Sequence, residues 1–264
     1  MNLVFMELKA YRKSLIIWSI CMVLGVYSGM VKYPTYSSDH AANDVLQQLP
    51  RTMRALFGMG SLNVSVMSGF FAFLFSYIVL AAAIHAGLLG SGIIAKEERD
   101  KTTEFLLVKP VSRTMVITAK LMAAMLQLVV LNALTLAASF LFVAAYNKGK
   151  DISVEIVLLF ATMLIIQLIF LSLGAFLAAR MQRSKTSGAV TASLLFGAYI
   201  LGKITDLTHH LNVLNLLSPF KYFSTGALVD KQELSFTAVL LSLLLAVLLA
   251  AGAYYFYKKR DMNN

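Results

Sequence analysis

The sequence predicts an all-α fold: a polytopic helical bundle that crosses a membrane six times, with both termini in the cytoplasm. Three observations predict it: an apolar composition, the grouping of apolar residues into membrane-length blocks, and the clustering of basic residues between alternate blocks. Of 264 residues, 59% are hydrophobic and only 14% are charged, whereas an ordinary soluble domain carries about 25% charged residues. Mean hydropathy is +0.75. A hydrocarbon layer ~30 Å thick takes ~20 helical residues to cross, and the blocks lie near that length. With water absent, a helix satisfies its backbone hydrogen bonds within one segment, and the alternation expected of barrel strands is missing.

The first span is Ser14–Val31. Lys9, Arg12 and Lys13 precede it, as they would in a secretory signal. No Ala-x-Ala-like site follows, however, and Val31-Lys32-Tyr33-Pro34 suits a membrane exit. Val4, Phe5, Leu8 and Tyr11 stand at helical spacing, so Met1–Lys13 is expected to lie along the cytoplasmic interface, the alternative being a frayed tail. The second span is Met67–Ala95, the third Leu121–Ala145 and the fourth Ser153–Ala179. Gly188–Ile204 is the fifth, at the short end of the range, and Phe236–Tyr257 is the sixth. No internal repeat, low-complexity tract or long linker divides the chain, so residues 1–264 are expected to form one transmembrane domain.

Charge orients the bundle, because cytoplasmic flanks are enriched in Lys and Arg. Lys9, Arg12 and Lys13 come before the first span. Lys96, Arg99, Lys101, Lys109, Arg113 and Lys120 lie between the second and third. Arg180, Arg183 and Lys185 follow the fourth, and Lys258, Lys259 and Arg260 follow the sixth. These are fifteen of the 23 basic residues, all on one side of an even-numbered bundle. The net charge of +10 follows from this pattern and makes no case for nucleic acid; attraction to anionic lipid suits it.

Several chemistries are excluded. No Walker A pattern occurs, so the chain has no recognisable nucleotide-phosphate cradle and is not expected to be an enzyme. The span middles hold no Asp, Glu, Lys or Arg, unlike ion-coupled carriers and channels with charged filters. Glu155, Lys120 and Lys203 fall near span ends, where long side chains reach the interface. Paired Asp, Ser/His or metal-ligand sets for intramembrane proteolysis are missing. Cys21 is the single cysteine, which leaves no disulfide framework, and the pair His209-His210 lacks carboxylate or Cys companions, so no metal is expected. Energy for any transport would come from outside the chain.

The polar residues inside spans are His85, Gln127, Asn132 and Gln167. They fit a polar stretch of a substrate path, the alternative being interhelical hydrogen bonds worth on the order of 1 kcal/mol, which for His85 is the favoured reading. In the fifth span Gly188/Ala192, Ser193/Gly197 and Ala198/Gly202 are small-xxx-small pairs that permit close helix approach. Gly188 and Ala192 are therefore candidates for a dimer seam, together with the first span.

Lys96–Lys120 is the longest charged segment and mixes four acidic with six basic residues. Thr102 or Thr103 suits the cap of a short helix, with Glu104 at its favourable N-terminal end. That helix would carry Phe105, Leu106 and Leu107 and end before Pro110. Two readings stand on the residues alone: a docking helix for a soluble partner, or a solvated loop whose apolar residues rest on headgroups.

The segment resembles the ABC type-2 transporter permeases. Their loop between the second and third spans reads Glu-rich, then Gly-Thr-x-Glu-x-Leu-Leu, then Pro-[VI]-Ser-Arg. The matching residues here are Glu97, Glu98, Thr102, Glu104, Phe105, Leu106, Leu107, Pro110, Val111, Ser112 and Arg113, with Lys101 in place of the usual glycine. Leu217-Ser218-Pro219-Phe220-Lys221-Tyr222-Phe223 and the ending Phe256-Tyr257-Lys258-Lys259-Arg260-Asp261 are similar too. The resemblance implies a bacterial cell-membrane exporter subunit for drugs, antibiotics or peptides, lipids or polysaccharides. It implies a separate cytoplasmic ATPase that holds ATP and Mg, no cofactor on this chain, and pairing of two permeases as a homodimer or with a related chain. Glu97, Glu98, Thr103, Glu104, Phe105, Leu106, Pro110 and Arg113 would then couple to the ATPase, and Thr205–Leu234 would form short helices capping the bundle. The rival functions are a non-transporting scaffold or sensor of the same fold and, against the empty span interiors, a secondary carrier.

Overall fold

The computed structural model describes residues 2–38, 50–56, 59, 62–100, 112–181, 186–207, 214–223, 225–230 and 232–259. The helices are α1 (Asn2–Met30), α2 (Tyr33–Ser38), α3 (Arg51–Leu56), α4 (Met67–Arg99), α5 (Arg113–Tyr146), α6 (Ser153–Arg180), α7 (Ser187–Thr205), α8 (Thr225–Asp230) and α9 (Phe236–Lys259). Pro219–Lys221 forms a short 3-10 turn, and there is no strand among the described residues. Six segments are long and apolar enough to cross a membrane: α1 with its continuation into α2, and α4, α5, α6, α7 and α9.

α6 is the central helix. It packs most extensively on α4, then on α9, and also touches α5 and α7. α1 lies mainly against α5 and reaches α4, while α7 lies against α4 and α6. Glycine makes the α4–α6 contact possible. A Cβ on Gly90 would collide with the backbone carbonyl of Leu171, and one on Gly174 with the backbone of Gly87. Small residues let membrane helices approach until backbones touch, replacing hydrophobic drive with van der Waals contact. One apolar cluster gathers around Phe71, Phe75, Phe160 and Phe170, and a second around Ile93, Ile117, Leu128 and Tyr257.

The helix ends explain where the spans stop. α4 has 33 residues and α5 has 34, so each runs ~50 Å at ~1.5 Å per residue and outreaches a ~30 Å hydrocarbon layer. Their extra turns are the charged ones. Lys96 and Arg99 occupy the last turn of α4, where cations suit the helix dipole. Ser112 caps α5, its Oγ accepting from the Met115 N–H at 3.2 Å. Ahead of α6, the Asp151 carboxylate accepts from the Ser153 hydroxyl at 2.6 Å and from its N–H at 3.1 Å. The Ser153 hydroxyl bond, then the backbone N–H, hold that carboxyl below the usual range.

The sequence expectation for Met1–Lys13 differs from the structure in form. Residues 2–13 are the first turns of an uninterrupted α1, not a separate helix, and Val4, Leu8 and Tyr11 pack on the second apolar cluster. Ile16, Ile17, Ile20 and Leu24 lie exposed on α1, as does Cys21.

Candidate functional site

Three places in the bundle bring chemistry-bearing residues together. The first is a charged junction at the end that carries both termini. Lys120 of α5 projects from the same helical stripe as Ile117, Ala124 and Leu128, the buried face of that helix. Its side chain is 1% exposed. Its Nζ donates to the Ile93 carbonyl at 2.6 Å and to Glu97 Oε1 at 2.6 Å. Ile93 and Glu97 are one helical turn apart on α4, so both face α5. Glu7 of α1 completes the group, with Oε1 3.5 Å from Lys120 Nζ and Oε2 3.0 Å from Lys96 Nζ. Two ammonium groups thus meet two carboxylates where α1, α4 and α5 converge, and the Lys96 ammonium lies 5.8 Å from the Tyr11 ring centroid. α9 is tied in nearby. Arg113 donates to the Lys258 carbonyl at 3.1 Å, and the Tyr254 hydroxyl to Thr118 Oγ1 at 3.0 Å.

This junction flanks the candidate coupling segment. Glu97 has its charge partner inside the chain, Glu98 is half-buried, and Arg113 opens α5. Thr103, Glu104, Phe105, Leu106 and Pro110 lie outside the described residues, as do His209 and His210. Lys120 and Glu155, expected to reach the interface, turn inward instead. Glu155 sits in the first turn of α6, 8% exposed, and accepts from Gln232 Nε2 at 3.1 Å. Gln232 adopts a left-handed backbone, φ 54°, at that contact.

The second place is a polar layer inside the bundle. Asn132 Nδ2 donates to Gln167 Oε1 and to the Leu128 carbonyl at 2.8 Å, and Gln167 Nε2 donates to the Ala82 carbonyl at 3.4 Å. These bonds join α4, α5 and α6. His85 and Gln127 are each 1% exposed. The His85 ring lies 5.2 Å from that of Trp18 on α1. Neither ring nitrogen of His85, nor the Gln127 amide, has a hydrogen-bond partner among the described residues. Gly188 faces Ser91 and Leu88 of α4 within the same chain, and Ala192 is half-buried.

The third place escaped the sequence reading. At the end away from the termini, a cavity of about 400 Å³ opens between α4, α6, α7 and the segment before α9. Lys203 and Asp206 border it from the end of α7, and Asn215, Phe220 and Lys221 from the segment that follows. That segment is pinned down. Ser218 Oγ donates to the Ala198 carbonyl at 2.8 Å, and the Phe220 ring lies 5.2 Å from Phe170 and 5.5 Å from Tyr199. A Cβ on Gly202 would come 2.8 Å from Ser218 Oγ, so glycine there admits the turn. The available signal was Ser218-Pro219-Phe220-Lys221-Tyr222-Phe223, an aromatic and basic run just outside a span.

Six membrane-length helices, with a buried polar layer and a charged junction, define a polytopic membrane protein. A protein-family model for ABC-2 family transporter proteins matches residues 1–262, and the chain belongs to that family. It is a multi-pass membrane protein and the permease subunit of an ABC transporter, in a family that generally works with a cytoplasmic ABC ATPase. No curated protein matches the chain.

Proposed function

We propose that this permease exports an amphipathic or bulky substrate, powered by a separate cytoplasmic ATPase that docks on segment 103–109. The observation that supports this reading is the buried junction of Glu7, Lys96, Glu97 and Lys120. It fastens the end of α4 and the start of α5 to α1, so a push on the intervening segment would move three helices together. Phe105 and Leu106 are the apolar anchors in this reading. Glu98 and Glu104 meet basic residues of the ATPase, and Glu97 holds the junction behind them. The termini face the cytoplasm, and two permeases pair, as a homodimer or with a related chain. The partner holds ATP and Mg.

The test is co-purification with the ATPase and ATP turnover in nanodiscs. Buried aromatic anchors contribute about 2 kcal/mol or more at interfaces and rim charges much less. Phe105→Ala should therefore weaken the complex more than Glu98→Ala and lower coupled ATP hydrolysis, with membrane insertion unchanged. If Phe105→Ala and Glu98→Lys both leave association and turnover intact, the segment is not the coupling element.

A further inference from the structure

We propose that the cavity away from the termini binds an anionic amphiphile, its acidic head on Lys203 and its chain between α4 and α6. As a substrate site this rests on the transport reading above; as a binding site it does not.

The volume, about 400 Å³, falls in the ~300–1,000 Å³ range of ligand pockets. Its deep wall is apolar, with Phe75 and Val79 from α4 and Leu159 and Ile166 from α6. The mouth is polar and unevenly charged. Among the described residues, Lys203, Lys221 and Asp206 are the charged ones lining it, which leaves one net positive charge. Lys221 is ion-paired with Asp206. Lys203 has no carboxylate within ion-pair distance among the described residues; its Nζ lies 5.4 Å from the Tyr199 ring centroid.

The other polar groups narrow the ligand further. The Ser76 hydroxyl donates to the Phe73 carbonyl at 2.7 Å and that of Thr162 to the Leu159 carbonyl at 2.7 Å, so both are occupied by their own helices. Asn215 Oδ1 is buried without a hydrogen-bond partner among the described residues. Among the described residues the cavity therefore presents one cation held in no ion pair, since Asp206 is paired with Lys221, one acceptor lacking a donor, and an apolar wall. A neutral lipid would leave Lys203 desolvated and unpaired, and a cationic ligand would be repelled. A small hydrophilic anion would leave the aromatic and aliphatic wall uncovered. A head that joins an anionic oxygen to an N–H or O–H donor, followed by an alkyl chain, meets all three demands. A membrane lipid and an exported solute could both present that chemistry.

N-lauroylglycine carries a carboxylate, an amide N–H and an alkyl chain, and serves as the probe. Its binding is measured by equilibrium dialysis on the full-length chain in phosphatidylcholine nanodiscs, without the ATPase. Saturable binding is expected. Lys203→Gln should weaken it by roughly 10- to 100-fold, the worth of a hydrogen bond to a charged group. Lys203→Arg should stay within a few-fold of wild type, and Val79→Trp, which fills the wall, should abolish binding. Adding phosphatidylglycerol to the discs separates the sources: displacement of the probe identifies a lipid as the occupant, and its persistence an exported solute. Equal binding of the neutral N-lauroylglycine amide, or unchanged binding by Lys203→Gln, overturns the site. Binding without ATPase-linked activity would overturn the transport reading alone, and ATP turnover without binding would overturn the site alone.

Discussion

Lys120 carries the largest single consequence in the bundle. A lysine with 1% of its side chain exposed is tolerable only because Glu97, Glu7 and a backbone carbonyl surround the ammonium. Breaking a buried ion pair from one side leaves charge without compensation and costs about 3–5 kcal/mol, whereas replacing both partners by apolar groups is often neutral. Lys120→Met should accordingly lower the thermal unfolding midpoint sharply, and Lys120→Met combined with Glu97→Leu should recover much of it. A single variant as stable as wild type in detergent would show that the junction carries little stability. The partners come from positions 23 and 113 residues away in sequence, since Lys120 meets both Glu97 and Glu7. Proximity to a span end suggested interfacial lysines, and nothing local contradicted it. The clue lay in spacing: Lys120 and Gln127 both fall on the stripe that includes Ile117, Ala124, Leu128 and Leu131.

Among the elements, the six spans were legible, whereas the charged turns that extend them and the contacts between them were not. Apolar block length fixes where a helix crosses, so the fourth and sixth predicted spans begin at Ser153 and Phe236, as α6 and α9 do. Blocks say nothing of charged turns that continue a helix into water, and α5 starts at Arg113, well before the predicted Leu121. Helix pairing was hidden for another reason. Small-xxx-small pairs occur in several spans, and only backbone proximity distinguishes those that are needed. At the α4–α6 contact the needed ones are Gly90 and Gly174. Gly90→Leu would push α4 away from the Leu171 backbone, which has no flexible side chain to yield, so a loss of about 1–3 kcal/mol or more is expected. Gly25→Leu, with nothing within 4 Å of a Cβ, should be tolerated. Size-exclusion profiles and melting of the two variants make the comparison, and equal behaviour would discount the α4–α6 contact. The coupling role of Thr103, Glu104, Phe105, Leu106 and Pro110 stays an expectation from the family resemblance, on residues outside the described ones. The cavity was not legible, because its lining is drawn from five separated segments.

For the whole molecule, the unsatisfied surface is apolar. α1 exposes Ile16, Ile17, Ile20 and Leu24, and α7 exposes Leu194, Phe196 and Ile200. Both helices pack on α4. Lipid covers such faces in a lone permease, and a second permease covers them in the proposed pair. Gly188 is a poor probe of that pairing, because a larger residue would first meet Ser91 and Leu88 of its own chain. Gly197 has nothing of the described chain within 4 Å of a Cβ, so Gly197→Leu should leave the packing within the chain intact and test the proposed pairing. Cysteines at Ile17 and Gly197 should crosslink two copies in native membranes, and Gly197→Leu should reduce dimer recovery. Dimers crosslinked through α5 and α9 instead would move the seam.

The exposed thiol of Cys21 has a practical consequence for watching this machine turn over. Because the sequence holds one cysteine, exposed on α1 along the same stripe as Ile17 and Leu24, a nitroxide attached there reports on the proposed seam with no other cysteine of this chain to remove. Two labelled copies in one complex would give a single spin–spin distance in a pulsed-dipolar measurement. Trapping the ATPase with and without nucleotide would then read the rearrangement of the first helices as a change in that one number.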